Sequence, residues 1–289
     1  MGGLAAQAAN PKIRLGGPIF LRNADPRELA REHRRLGYSA ALCPQAKVED
    51  SARVHEIEKS FAAENVVIAE VGAWNNMLDT DAEKRRANLQ YVVERLALAD
   101  AVGAICCVNV AGSFVNGRGT HADDLSPKFF DATVENCRRV LDEVKPKRAK
   151  FTIEMMAWCL PDTPDAYLQL IKAVDRRGFG AHFDPCNAIN SASKFYRNSE
   201  VIAECVQKLG PHIVSCHAKD LQLLPESNIH LLETVPGRGG VDYRTYLGAL
   251  SKLPREVPLM LEHLKTAEEY EEGAKYIRQV ASQIGVGFV

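Results

Sequence analysis

Residues 149–156 read AKFTIEMM, a short apolar run that turns polar at Glu154. Three later runs turn polar in the same way, and they are FGAHFDP at 179–185, HIVSCHAKD at 212–220 and VPLMLEH at 257–263. The polar ends of the four runs lie 30, 33 and 45 positions apart along the chain. One strand-plus-helix unit of a (β/α)8 barrel takes roughly 30 residues, so the spacing predicts consecutive units of one such barrel.

Each of the four runs supplies one side chain of a metal-ligating type, namely Glu154, Asp184, His217 and Glu262. Because the carboxyl ends of barrel strands meet at one face, we expect these side chains to converge there. A lone glutamate at a strand end is usually a helix cap or a solvated group, but four corresponding positions favour a metal site. Three carboxylates and one imidazole suit a divalent cation, with Mn²⁺ the first choice and Mg²⁺, Co²⁺ or Zn²⁺ as alternatives.

Short apolar runs alternate with amphipathic stretches along the whole chain, which predicts an α/β protein built as a single (β/α)8 TIM barrel. The first helix start is marked at Asp25-Pro26, where a capping residue precedes proline. A doubly wound sheet is the structural alternative, but no G-x-G-x-x-G follows the first strand. We assign residues 1–10 to a flexible N-terminal segment without signal-peptide features, and 11–289 to the catalytic barrel. The predicted strands are 12–16, 39–42, 66–71, 104–110, 150–155, 179–183, 213–216 and 258–261.

The composition is that of an ordinary globular protein, with 289 residues, 46% hydrophobic and 25% charged. A formal net charge of −1 gives no reason to expect nucleic acid or an anionic membrane as a partner. The sequence has no run of about 18 apolar residues that would span a bilayer. Its 8 cysteines form no C-x-x-C pair, which favours reduced thiols in a cytoplasmic protein.

Two residues next to the predicted ligands are candidate substrate contacts. Residues two apart in a strand share a face, so His182 should point inward with Asp184. Lys219 should point inward with His217 for the same reason. A second imidazole and an ammonium group are therefore expected near the metal.

Further candidates lie on segments that follow the strands. Trp74 and Trp158 would give a sugar ring an aromatic wall, although core or rim packing is an equal alternative. The glycine-rich turn at 236–240 would bring Arg238 to an anion such as a sugar phosphate. The segment 221–240 lengthens the seventh unit, and we predict a long loop there that either covers substrate or packs on the rim.

Five segments, FTIEMMAW, GAHFDPCN, SCHAKD, VPGRGGVDY and LMLEH, resemble the sugar isomerase/epimerase superfamily with the xylose-isomerase-like barrel. Its members include ketose 3-epimerases, hydroxypyruvate isomerases and inosose dehydratases. The resemblance implies that the metal ligands are Glu154, Asp184, His217 and Glu262. It also implies that Glu154 and Glu262 are catalytic acid/base groups on opposite faces of the reacting carbon. The implied activity is a metal-dependent sugar isomerase/epimerase that removes a proton next to a carbonyl, through an enediolate.

The sequence departs from the ketose 3-epimerases at two positions. Those enzymes typically have a histidine three residues after the metal aspartate, where this chain has Asn187. They also commonly have an arginine six residues after the metal histidine, where this chain has Leu223. Asn187 therefore joins His182, Lys219 and Arg238 as a candidate substrate contact. The alternative function is a metal-dependent lyase that cleaves 3-oxo-glycosides by β-elimination, like the catalytic subunit of C-glycoside deglycosidases.

Two other classes of protein fit the sequence less well. A zinc-dependent apurinic endonuclease shares this barrel, but DNA repair needs a histidine-rich site and a basic groove. A catalytically silent binding module would have lost one of the two glutamates. We expect a small-molecule sugar or sugar derivative as the partner, together with a homo-oligomer, or a small accessory subunit in the case of the lyase.

Overall fold

The computed structural model describes residues 13–22 and 24–289. The predicted flexible segment 1–10 and Lys12 of the first predicted strand lie outside the described residues. The strands are β1 (Ile13–Gly16), β2 (Ala40–Leu42), β3 (Val67–Gly72), β4 (Cys106–Asn109), β5 (Lys150–Glu154), β6 (Phe179–Phe183), β7 (Ile213–Ala218), β8 (Asp220–Leu223), β9 (Leu231–Thr234) and β10 (Val257–Leu261). Eight of them are parallel and close in the order β1-β10-β7-β6-β5-β4-β3-β2, which confirms the predicted (β/α)8 TIM barrel.

Helices follow the strands on the outside of the barrel. They are α1 (Pro26–Arg35), α2 (Ser51–Ala63), α3 (Ala82–Val102), α4 (Pro127–Val144), α5 (Pro164–Val174), α6 (Pro185–Ala188), α7 (Ala192–Tyr196), α8 (Asn198–Leu209), α9 (Tyr243–Leu250) and α10 (Ala267–Gln283). At the predicted start of α1, the Asp25 carboxylate accepts hydrogen bonds from the N–H groups of Arg27 and Glu28. The Glu28 carboxylate accepts the Asp25 N–H in return, which completes a capping box. In the described part of the chain, no helix is both long enough and apolar enough for a bilayer.

One part of the barrel interior is packed by small side chains around a methionine. Met260 forms this inner cluster with Ala40 and Ala69. A methyl group on Gly16 would lie 2.3 Å from the Ala40 carbonyl oxygen and 2.6 Å from Met260 Sδ. Glycine therefore allows β1 to approach both neighbours closely. The larger core consists of apolar side chains of the strands and helices, and it fixes the strands whose carboxyl ends carry the candidate site.

The segment 221–240, predicted as a long loop, contains an antiparallel hairpin of β8 and β9. The carboxylate of Asp220 accepts hydrogen bonds from the N–H groups of Gly237 and Val241, which fastens the returning chain to the barrel. The two short runs satisfy each other's backbone groups, so they form strands although they bury little apolar surface. A role of this hairpin as a cover for substrate stays a prediction.

Candidate metal centre

The four side chains at the strand ends converge at the carboxyl-terminal face of the barrel. Glu154 is the last residue of β5, His217 lies near the end of β7, and Asp184 and Glu262 directly follow β6 and β10. One ligand-type atom from each residue lies within 4.8 Å of all the others. Strand alternation and barrel closure together produce this convergence, because both fix the direction of an end-of-strand side chain.

His217 lies at the centre of the group. Its Nδ1 is 3.0 Å from Glu154 Oε1, 2.9 Å from Glu262 Oε1 and 3.9 Å from Asp184 Oδ2. Asp184 and His217 are essentially inaccessible to solvent, and the Glu262 side chain is 18% exposed. The group is therefore buried at its base and open at Glu262.

Lys219 lies among the same carboxylates, as strand alternation predicted. Its ammonium nitrogen is 2.7 Å from Asp184 Oδ2, 2.8 Å from Glu262 Oε1 and 3.1 Å from Glu233 Oε1. Burial opposes the charge of Lys219, but Asp184 and Glu262 outweigh it and raise its pKa above the ordinary value. Lys219 is thus a buried positive charge beside the site.

The carboxylates and the imidazole shift each other's ionisation. Burial opposes ionisation of Glu154, but the positive charge and hydrogen bond of His217 lower its pKa. Burial likewise opposes protonation of His217, but Glu70, Glu262 and Glu154 raise its pKa well above the ordinary value. Burial raises the pKa of Asp184, although Lys219 counteracts the effect. Negative charge therefore outweighs positive charge here, which suits a divalent cation.

Two oxygen atoms give a direct test of whether a cation fits. Asp184 Oδ2 and Glu262 Oε1 are buried, and neither has a partner of strict hydrogen-bond geometry among the described residues, although His217 Nδ1 lies 2.9 Å from Glu262 Oε1. Lys219 is close enough to both for ion pairing, but it does not meet hydrogen-bond geometry. Oxygen atoms with free lone pairs, next to a histidine nitrogen, are the donors that Mn²⁺, Mg²⁺ or Zn²⁺ accept. The residues present therefore fit such an ion.

Sequence reasoning missed one buried carboxylate of this site, that of Glu70 on β3. His182 Nε2 and Ser215 Oγ lie 3.0 Å and 2.5 Å from its Oε1, and His217 Nε2 lies 3.3 Å from its Oε2. Burial opposes ionisation of Glu70, but His217 and His182 lower its pKa below the ordinary value. The available signal was a single acidic residue inside the apolar run VVIAEVG at 66–72.

The remaining predicted contacts differ in position. Asn187 Nδ2 donates a hydrogen bond to Glu154 Oε1 over 3.2 Å. His182 is fully buried beneath the site, with its ring centroid 4.2 Å from that of His217. Arg238 lies away from the site, since its guanidinium pairs with Glu272 on α10 at 2.8 Å and 2.5 Å.

A cavity of about 670 Å³ opens above the site, and Glu70, Glu154, His217 and Glu262 contribute to its walls. Trp74 forms another part of the wall, with its ring centroid 6.2 Å from that of His217. A cavity of this size fits the general range for small-molecule sites.

Two non-glycine residues beside this cavity have left-handed backbone conformations, Trp74 with φ 50° and His263 with φ 59°. A methyl group on Gly72 would lie 2.2 Å from Trp74 Nε1, so glycine allows the indole to fold back over β3. His263 Nδ1 lies 2.7 Å from Glu233 Oε2, which joins the rim to β9. Such conformations are costly and concentrate at functional sites.

Residues 30–280 match the profile of the family described as "Xylose isomerase-like TIM barrel". A sequence search of curated proteins finds no match to the chain. Among solved structures, a xylose isomerase-like TIM barrel protein from Mycobacterium smegmatis in complex with magnesium is 18% identical, with a TM-score of 0.66. That match covers 97% of this chain and 99% of the other.

Two further solved structures share the fold. D-psicose 3-epimerase from Clostridium cellulolyticum, solved with D-tagatose, is 12% identical with a TM-score of 0.69, covering 96% of this chain and 100% of that one. Endonuclease IV from Thermus thermophilus is 15% identical with a TM-score of 0.70, covering 94% and 100%. An epimerase and an endonuclease thus match equally well, so the fold alone does not decide the reaction.

Proposed function

The chain belongs to the xylose isomerase-like TIM barrel family, and on that premise we propose that it is a divalent-metal-dependent sugar isomerase or epimerase. It acts by moving a proton at a carbon next to a carbonyl, through an enediolate. The observation that carries this proposal is the convergence of Glu154, Asp184, His217 and Glu262, whose ligand atoms lie within 4.8 Å of one another.

The proposed metal ligands are these four residues, with Mn²⁺ as the preferred ion and Mg²⁺, Co²⁺ or Zn²⁺ as alternatives. A divalent cation supplies positive charge that acidifies a C–H group beside a carbonyl and neutralises the developing oxyanion. The chain itself limits access to the ion, because Asp184 and His217 are buried and only the Glu262 side is open to solvent. The substrate therefore approaches from the cavity above β5 and β10.

Glu154 and Glu262 are the proposed acid/base groups. They reach His217 Nδ1 from two different strands, at 3.0 Å and 2.9 Å, so their carboxylates face the same small volume. An epimerase needs two such groups, because it removes a proton from one face of a carbon and returns one to the other face.

Trp74 is the proposed substrate contact best supported by position, because it lines the cavity, and Lys219 is a further proposed contact. Lys219 offers a buried ammonium to a substrate oxygen, and Trp74 offers an indole face to C–H groups of a sugar ring. Trp158 lines a neighbouring cavity together with Trp74. His182 and Arg238 would need a rearrangement to reach the cavity, since one is buried below it and the other is paired outside it.

The test is a screen of free ketoses and 3-oxo-glycosides in D₂O with Mn²⁺ present. We expect deuterium to enter the carbon next to the carbonyl of at least one recovered ketose. Glu154→Gln, which preserves shape but removes the base, should slow the exchange by about 10²–10⁴-fold. Absence of exchange into every ketose by the Mn²⁺-loaded protein would remove the isomerase or epimerase proposal.

A second candidate function is a lyase that cleaves 3-oxo-glycosides by β-elimination. Asn187 favours it, because its amide bonds to Glu154 at the position where ketose 3-epimerases carry a substrate-contacting histidine. Only one base is required, since the leaving group departs instead of a proton returning. Release of an aglycone from a 3-oxo-glycoside, without exchange into free ketoses, would replace the first proposal by this one.

The endonuclease structure suggests no third proposal, because histidine supplies only one of the four ligands and the net charge is −1. The proposed partner is a small-molecule sugar or sugar derivative. Assembly into a homo-oligomer, an accessory subunit for the lyase, and a cytoplasmic location are proposals that gel filtration, copurification and cell fractionation test.

A further inference from the structure

A second cavity, of about 300 Å³, lies beside the metal centre. Trp74 and Val110 line both cavities, so the two are adjacent. Trp158 and Arg118 complete the second one, which we call the tryptophan cleft. The cleft is too close to the candidate metal centre to be independent of it, because the Trp74 ring also lies beside His217 at a centroid distance of 6.2 Å.

The side chains of Asn76 and Ser113 in the cleft already form hydrogen bonds within the protein. Asn76 Nδ2 donates to the carbonyl oxygens of Ser113 and Gly117, over 2.9 Å and 3.2 Å. Asn76 Oδ1 accepts the N–H groups of Leu78 and Ser113. Ser113 Oγ donates to Asp124 Oδ2 over 2.5 Å. A second sugar ring, which carries many hydroxyl groups, would find few free partners on this wall.

Arg118 is the exception among these polar groups. It is exposed, and its guanidinium forms no ion pair or hydrogen bond with any residue of the described ranges, 13–22 and 24–289. The cleft thus combines two tryptophan side chains with one free cation. Indole faces favour flat apolar rings, and a guanidinium favours a carboxylate or phenolate on such a ring.

We propose that the tryptophan cleft binds a flat, hydroxyl-poor aromatic ring attached to the sugar, and that Arg118 binds an anionic group on that ring. The substrate is then an aryl-substituted sugar, with its carbonyl over the metal centre and its aryl group between Trp74 and Trp158. This inference rests on the proposed function, because it places the sugar part of the ligand at Glu154 and Glu262.

The chain offers a direct reporter, since its 2 tryptophans are both in the cleft. The probes are phenyl β-glucoside, 4-carboxyphenyl β-glucoside and methyl β-glucoside, none of which carries the carbonyl needed for reaction. We expect the phenyl compound to quench tryptophan emission and bind about 10-fold tighter than the methyl compound. The carboxyphenyl compound should bind tighter again.

Two variants and one control locate the effect. In Trp158→Ala, binding is measured by the emission of the remaining tryptophan, Trp74. This variant should lose most of the preference for the phenyl glucoside over the methyl glucoside. Arg118→Ala should remove only the added affinity of the carboxylate. Arg177→Ala is the matched control, because Arg177 is exposed just before β6, at the opposite end of the barrel.

The inference is overturned if phenyl and methyl glucosides bind alike, or if the preference survives in folded Trp158→Ala. Retained binding of all three compounds in Arg118→Ala, with unchanged affinities, overturns the role of Arg118. Failure of the proposed function is distinguishable, because it appears as lack of deuterium exchange into ketoses while the aryl preference persists.

Discussion

At the scale of single residues, Glu154 should matter for chemistry more than for metal binding. Glu154→Gln retains one oxygen donor but cannot act as a base, so turnover should fall by about 10²–10⁴-fold. The measurements are kcat on the ketose found by the exchange screen and Mn²⁺ affinity by calorimetry. The matched control is Glu143→Gln, which is exposed on α4. Equal losses in turnover and affinity, restored by excess metal, would reduce Glu154 to a ligand.

Glu70 should orient His217 for metal binding. Its carboxylate lies 3.3 Å from His217 Nε2, so it holds the proton there and leaves Nδ1 facing Glu154 and Glu262. Glu70→Gln should therefore weaken Mn²⁺ affinity by about 10–100-fold. Calorimetry and the metal-induced rise in melting temperature measure it. Unchanged affinity in a folded variant would show that His217 needs no such support.

The residues of the site were predictable to different degrees. Strand ends and barrel closure determine direction, so convergence of the four ligand-type side chains followed from their places in sequence. The partners of Glu70 come from β6 and β7, across the barrel, and no local sequence pattern predicts these contacts. The pairing of Arg238 with Glu272 likewise depends on the path of a turn that sequence does not specify.

At the scale of elements, α1 should weaken in acid through His33. His33 is buried, its Nδ1 lies 2.8 Å from the Leu29 carbonyl oxygen, and its ring packs against Phe61. Burial lowers its pKa below the ordinary 6.5. The unfolded chain therefore binds the proton more readily, and stability falls as pH drops below about 6.5.

The comparison that checks this is thermal unfolding of the wild type and of His33→Gln at pH 7.5 and 5.5. The glutamine cannot titrate, so the variant should lose less stability between these values than the wild type. Equal losses would place the acid sensitivity elsewhere.

The hairpin of β8 and β9 should be held to the barrel by Glu233, which contacts Lys219 at 3.1 Å and His263 at 2.7 Å. In Glu233→Ala, amide hydrogen exchange should accelerate across 220–234 and stay unchanged in α4. If the hairpin exchanges at its original rate, the carboxylate does not fasten it. The sequence did not predict this element, because its register depends on backbone pairing and not on a buried face.

At the scale of the whole molecule, a cation that binds only the folded state should raise its melting temperature. Mn²⁺ at ~100 times its dissociation constant adds about 2.7 kcal/mol, or roughly 4–5 °C for a chain of this size. Differential scanning calorimetry with and without Mn²⁺ measures the shift. Glu262→Gln should reduce it, and a wild-type protein that melts alike in both conditions would argue against the site.

The barrel itself was predictable from eight alternations of strand and helix. Each unit has local sequence signals, namely the period of its apolar residues and its helix caps. Predicted strands and observed strands differ mainly at their ends. The fourth strand begins two residues later than predicted, at Cys106, and the seventh extends two residues further, to Ala218. Local signals do not specify which strands pair at the closure of the barrel, where β1 pairs with β10.

Trp74 and His263, with their left-handed backbones, have a consequence for how this protein would evolve. Each such conformation costs about 1–3 kcal/mol, and glycine would relieve it. A laboratory selection for heat resistance alone should therefore replace them, whereas a selection for turnover should retain them. Comparing the survivors of the two selections would outline the rim of the candidate site.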